Sequence, residues 1–157
     1  MSTSPVIYSR IDSSDGDSLI ELGRKMHLES SYSKLGFSPD RVLETFRWYL
    51  EDPMKACFLA KQGDDPVGMY AGYMVQYYFS DEWVASDLAW FVVKEKRGTR
   101  VGLKLLDLFE RWALDNHASE IRLGISTDIK PDAFDSLMKK RKYSRVGANY
   151  RLENVDV

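Results

Sequence analysis

Between Val92 and Leu106 the chain reads V-V-K-E-K-R-G-T-R-V-G-L-K-L-L. This order predicts the end of an apolar strand, a short loop rich in glycine and basic residues, and the start of an amphipathic helix. Such a loop turns several backbone N–H groups toward one point at the positive end of a helix, an arrangement that binds phosphate. Lys94, Lys96, Arg97, Arg100 and Lys104 crowd the segment, opposed within it only by Glu95, although the formal net charge of the chain is -2. Cations at a helix N-terminus oppose the helix dipole, so an anionic partner gives their placement a physical reason. A cationic loop on a near-neutral protein suggests one bound anion rather than a general attraction to polyanions.

Other chemistries find less support. His27 and His117 are isolated and lack metal-ligand spacing, so no metal is expected. There is no Gly-x-Ser-x-Gly elbow and no Walker loop to suggest a serine hydrolase or an NTPase. The one cysteine, Cys57, lies in the apolar run K-A-C-F-L-A and reads as a small buried hydrophobe. A second basic run, Lys139-Lys140-Arg141-Lys142 with Arg145 beyond, complements a helix C-terminus. It could also meet a phosphate or a nucleic acid, but the acidic balance and the lack of a recognised nucleic-acid motif count against the latter.

The elements that must position these groups can be read from periodicity. With 157 residues, 44% apolar and 29% charged, one soluble domain over 1–157 is expected. No apolar stretch approaches the ~18 residues of a membrane span. The opening M-S-T-S-P lacks the regions of a signal peptide, so the cytoplasm is the expected location. Val6 to Ile11 predicts a strand, and Asp17 to Ser30 a helix with Ser14 and Asp15 as cap candidates. Ser38-Pro39-Asp40 opens a second helix that ends before Pro53. Three strands follow, at Ala56 to Lys61, Val67 to Phe79 and Trp83 to Val93. Gly68 and Gly72 allow a close approach or a bend, and the apolar end of the third strand predicts burial on both faces. The helix after the basic loop places Val101, Leu105, Leu108, Phe109 and Trp112 on one side and ends at Asn116-His117. A strand at Ile121 to Ile125, a helix starting between Asp128 and Pro131, and a strand at Val146 to Leu152 complete the chain. The order β-α-α-β-β-β-α-β-α-β implies a single-domain α/β protein with a mixed, mostly antiparallel sheet flanked by helices.

Element order and the segment R-G-T-R-V-G-L-K-L-L together resemble the GNAT (GCN5-related N-acetyltransferase) superfamily, including small members encoded by bacteriophages. Its signature, Arg or Gln, two residues, Gly, one residue, Gly or Ala, falls on Arg97, Gly98, Thr99, Arg100, Val101 and Gly102. R-K-Y-S-R-V-G-A-N-Y-R-L is similar to the closing segment of these enzymes. Arg100 stands where the first signature glycine is expected. Met138 replaces a tyrosine that often protonates the leaving thiolate, Pro131 replaces a helix-opening asparagine, and Arg141-Lys142 replace a Leu-Gly pair.

The resemblance implies an N-acetyltransferase that moves an acetyl group from acetyl-CoA to a primary amine, with no metal. Phosphates of the cofactor would meet Arg97, Gly98, Thr99, Arg100, Val101, Gly102 and Leu103, and its amide arm would pair with the backbone of Phe91, Val92 and Val93. A bulge splaying that strand from its neighbour would free the groups for pairing. Transfer to an amine needs a base, and Asp87, a carboxylate inside an apolar strand, is the candidate, with Glu82 as the alternative. A backbone N–H near Val92 would serve the oxyanion, and Tyr143 is the candidate acid for the thiolate. The acceptor would lie against the first two helices, the loop from Ser30 to Ser38 and the Tyr77-Tyr78-Phe79 turn. The implied partners are acetyl-CoA and an amine, with no membrane and with a homodimer left open. Two other readings stand beside this one: an acyl-CoA-binding or protein-interaction module on the same fold, favoured by Met138 and Pro131, and a nucleic-acid-associated protein using both basic runs.

Overall fold

A computed structural model describes residues 4–125, 127 and 129–154, which form two compact units, one running to Gly124 and the other starting at Ile125. The first unit is built on five strands, β1 (Val6–Arg10), β2 (Lys55–Gln62), β3 (Asp65–Gln76), β4 (Trp83–Val92) and β5 (Glu120–Arg122), paired in that order. All neighbours are antiparallel except β4 and β5, which are parallel. Helices α1 (Gly16–Glu29) and α2 (Pro39–Glu51) precede β2, and α3 (Val101–Asp115) joins β4 to β5. Ser38 caps α2 as its sequence predicts, accepting from the Arg41 N–H at 3.3 Å. Asp15 stands at the cap position of α1 but does not cap it. Its carboxylate accepts from the Asp12 N–H and from Lys61 Nζ, both at 2.8 Å.

Two glycines set how closely α3 lies on the sheet. A Cβ on Gly68 would stand 3.0 Å from Leu105 and 3.1 Å from Val101, and one on Gly72 only 2.1 Å from the Phe109 ring. Val101, Leu105 and Phe109 recur every fourth residue on one buried face, so this ridge occupies the space left by two missing side chains. Phe109 then stacks on Tyr70 with ring centroids 4.5 Å apart. The strands buried along most of their length are β2 and β3. The expectation that β4 is buried on both faces is corrected: Leu88 on β4 is 55% exposed.

In the second unit, α4 (Pro131–Lys140) carries Lys139 and Lys140 in its last turn, where cations complement the dipole. Asp128, an expected start of this helix, lies outside the described residues. The expected strand at Val146 to Leu152 is absent: these residues have no regular structure, and Val146, Tyr150 and Leu152 are exposed. Alternation had suggested it, but a strand exists only where a neighbour accepts its ladder.

Helices α3 and α4 end the same way. The His117 and Ala118 N–H groups donate to Leu114 and Ala113, and those of Lys142 and Tyr143 to Lys139 and Met138. This paired bonding requires a left-handed residue, here His117 at φ 62° and Lys142 at φ 64°, where glycine is usual. Lys142 is also the position at which the GNAT resemblance expects glycine. His117→Gly and Lys142→Gly are each expected to raise unfolding stability by about 1 kcal/mol, read from urea midpoints.

Candidate active site at the end of the fourth strand

Beyond β4 the chain makes a short 3-10 turn over Lys94–Lys96 and then a corner. Arg97 is extended (φ -70°, ψ 146°), Gly98 is left-handed (φ 79°), and the Thr99 N–H meets the Lys96 carbonyl at 3.4 Å. A type II turn has this form and places glycine third, because an L side chain resists so positive a φ. Arg100 sits at φ -81°, ψ -4°, so its side chain meets no backbone strain where the signature would have glycine. The left-handed residue of this loop is Gly98, two positions earlier.

Helix α3 begins with no side-chain cap and no acidic residue in its first turn. The N–H groups of Arg97, Thr99 and Val101 donate to Lys94, Lys96 and the Thr99 hydroxyl, and that of Lys104 to Arg100. Among the described residues nothing accepts from the N–H groups of Gly98, Arg100, Gly102 or Leu103. Four amide donors at a positive helix end, with Lys94, Lys96 and Arg100 around them, can hold an anion.

The Arg97 side chain is occupied otherwise. Its Nη atoms grip both oxygens of Glu29 at the end of α1, its Nε donates to the Val92 carbonyl at 3.0 Å, and its guanidinium lies 5.5 Å from the Phe91 ring centroid. With its side chain Arg97 thus clamps the corner to the end of α1 and to the end of β4. Glu29, 68 residues away in sequence, neutralises one of the five cations of the basic segment.

Strand β4 is fastened unequally along its two edges. On one side it pairs with β3 along its length, with Leu88 as an extra residue between the pairs Ala71–Ala89 and Gly72–Asp87. On the other side β5 reaches only Val84, Ala85 and Ser86. The Val93 N–H donates to the Val67 carbonyl at 3.0 Å, so alternation along the strand turns Phe91 toward β3 as well and Val92 toward the edge beyond β5. The expected pairing surface over Phe91 to Val93 thus narrows to Val92. Because Arg97 caps the Val92 carbonyl, its N–H is the group presented there.

Asp87 lies beside this extra residue. Its Oδ1 accepts from the Gly124 N–H at 3.1 Å, so the chain following β5 bonds to a side chain instead of lengthening the parallel ladder. Burial pushes the Asp87 carboxyl up to about 6, although the Gly124 bond and its own backbone pull it down. A carboxylate with that value can take a proton near neutral pH.

Residues 24–133 match the acetyltransferase (GNAT) family, which covers most of this site and its scaffold. The chain belongs to the GNAT family. No curated protein sequence matches it, but its fold recurs in solved structures of low identity. One is AAC(6')-Iy in complex with the bisubstrate analog CoA-S-monomethyl-acetylneamine (14% identity, 96% of this chain and 99% of that one, TM-score 0.76). A second is a predicted acetyltransferase with acetyl-CoA from Clostridium acetobutylicum (14%, 95% and 96%, TM-score 0.78). A third is described as a transcriptional regulator from Bacillus halodurans C-125 (15%, 96% and 100%, TM-score 0.79).

Within this GNAT scaffold the remaining predicted residues fall as follows. Glu82 is exposed on the β3–β4 hairpin, with its carbonyl accepting from the Tyr77 N–H at 3.3 Å. Tyr143 belongs to the second unit, where its N–H closes the end of α4 on Met138 at 2.9 Å; Met138 itself is buried. In the loop after α1, expected to border the acceptor, Phe37 packs under Arg24 and His27, and His27 Nε2 lies 2.8 Å from the Leu35 carbonyl, pinning the loop. Tyr78 and Phe79 are exposed beside Tyr77. Among the described residues no group of three or more His, Cys, Asp or Glu could hold a metal, and no helix is long and apolar enough to cross a membrane.

Proposed function

We propose that this GNAT protein is an acetyl-CoA-dependent N-acyltransferase that acts on a primary amine in the cytoplasm. The observation that carries the reading is a juxtaposition. An uncapped helix start with four undonated amides directly follows a strand whose Val92 N–H faces an edge that β5 does not reach. The first feature suits a diphosphate, and the second suits an amide arm or an acyl oxygen.

Acetyl-CoA, when bound, supplies an activated thioester. The amides of Gly98, Arg100, Gly102 and Leu103 would hold its phosphates, assisted by the Arg100 guanidinium. Val92 N–H would donate to oxygen where negative charge develops. Asp87 would accept a proton from the acceptor's ammonium, directly or through water, so that the neutral amine can attack, and Tyr143 would supply a proton to the departing sulfur. The acceptor would rest against α1, α2, the loop after α1 and the Tyr77–Phe79 aromatics. Similarity to aminoglycoside acetyltransferases makes polyamine-like acceptors the first class to try.

Calorimetric titration with acetyl-CoA is expected to saturate at one equivalent, and Arg100→Glu to weaken binding at least tenfold. Thiol release should follow when an amine panel that includes aminoglycosides is added. Absence of binding in the wild-type protein would end this reading. Binding without turnover on any amine would favour the alternative acyl-CoA-binding module, for which buried Met138 in place of the expected tyrosine is the supporting observation.

A further inference from the structure

We propose that Glu29 is a positioning residue for the acyl donor, acting through Arg97 on the backbone of Val92; the inference rests on the acyltransferase reading above. Glu29 is the last residue of α1, on the acceptor side, whereas Arg97 opens the cofactor corner. The two side chains are 19% and 21% exposed. A two-pronged charged contact in so sheltered a place fixes orientation as well as distance. With both Nη atoms committed to Glu29, the Arg97 Nε is held on the Val92 carbonyl at 3.0 Å, and the guanidinium lies against Phe91.

The consequence falls on Val92. A residue on an open strand edge offers its N–H and its C=O side by side, so an incoming amide chain can pair with it in more than one register. Capping the carbonyl leaves a site that only donates, and it accepts only an oxygen-bearing group of the ligand. The capped carbonyl shares its peptide group with the Val93 N–H, so a charged donor there also strengthens the Val93 bond to Val67 and holds the end of β4 against β3. Glu29 has a second effect: it keeps one guanidinium turned away from the nearby anion cradle, where Lys94, Lys96 and Arg100 already supply positive charge. Losing Glu29 would release Arg97 toward that cradle and uncap Val92 together.

The test separates the two halves of the cofactor. Binding of acetyl-CoA is compared with that of adenosine 3',5'-bisphosphate, which has phosphates but no amide arm. Glu29→Gln is expected to weaken acetyl-CoA about tenfold, the scale of coupling between linked sites, while the bisphosphate binds as well as before or more tightly. Glu29→Asp, which keeps the charge, should recover part of the loss. In an Arg97→Gln background, Glu29→Gln should add nothing, because its route has been removed. Should Glu29→Gln fail to fold, Arg97→Lys keeps the ion pair but lacks the Nε donor, and it must show the same selective loss. Equal weakening of both ligands, or no change in either, overturns the proposal. If the wild-type protein binds neither, the acyltransferase reading falls first and takes this inference with it.

Discussion

Asp87→Asn is expected to lower kcat at least 100-fold while acetyl-CoA affinity stays within about twofold. The amide has the shape of the carboxylate and can still accept from the Gly124 N–H, so the local geometry should survive. What is lost is the capacity to take a proton. In the wild-type enzyme the rate should climb as pH rises through about 6, where this carboxyl ionises, and that limb should vanish in the variant. Stability should move the other way. The folded protein holds the Asp87 proton more tightly than the unfolded chain, whose carboxyl ionises near 3.8. Its favourable contribution is complete below about 3.8 and is lost as pH rises through 6, beyond which folding carries a poorly hydrated charge. Asp87→Asn should therefore be the more stable protein at pH 8, by up to about 3 kcal/mol, and equal to wild type near pH 3. An active variant with an unchanged pH profile would remove Asp87 from the chemistry.

Gly72→Ala should be the most damaging small substitution in the first unit, at a cost of about 3 kcal/mol or more. The new methyl group would stand 2.1 Å from the Phe109 ring and 2.8 Å from the Ser86 carbonyl. Phe109 is fully buried and stacked on Tyr70, so it has little room to yield. Gly72 is also the register partner of Asp87, so the displacement would reach the proposed base. Chemical denaturation should show the loss, and Phe109→Leu in the same chain should restore part of it by clearing the nearer of the two clashes. A midpoint unchanged in Gly72→Ala would mean that α3 does not depend on this close approach.

Local chemistry was legible in the sequence wherever it rests on neighbours in the chain. Ser38-Pro39 announced α2 by its cap, Gly68 and Gly72 announced a close approach, and the basic glycine loop announced a strand-to-helix junction. Non-local features were not legible. Nothing near Arg97 pointed to Glu29, so the clamp between them could not be read from the chain. The extra residue at Leu88 leaves no mark in S-D-L-A-W, because a bulge is defined by the partner strand. Alternation in Val146 to Leu152 could not reveal that no strand forms there. That Gly98 and not Arg100 takes the left-handed conformation was half visible, since a non-glycine at the signature position had to be accommodated in some way.

Leu88 has one more implication. On either side of it the ladder with β3 keeps the same sense: Ala89, Phe91 and Val93 face β3 beyond it, and Ser86 faces β3 before it. Shortening the chain by that one residue would leave every remaining peptide pointing as it does now and would simply straighten the strand. The supernumerary residue is thus dispensable for register and matters for direction. It turns the end of β4 beyond the last residue that β5 pairs without rewriting which amides face that edge, so the direction of the strand end and the identity of its donors can vary independently.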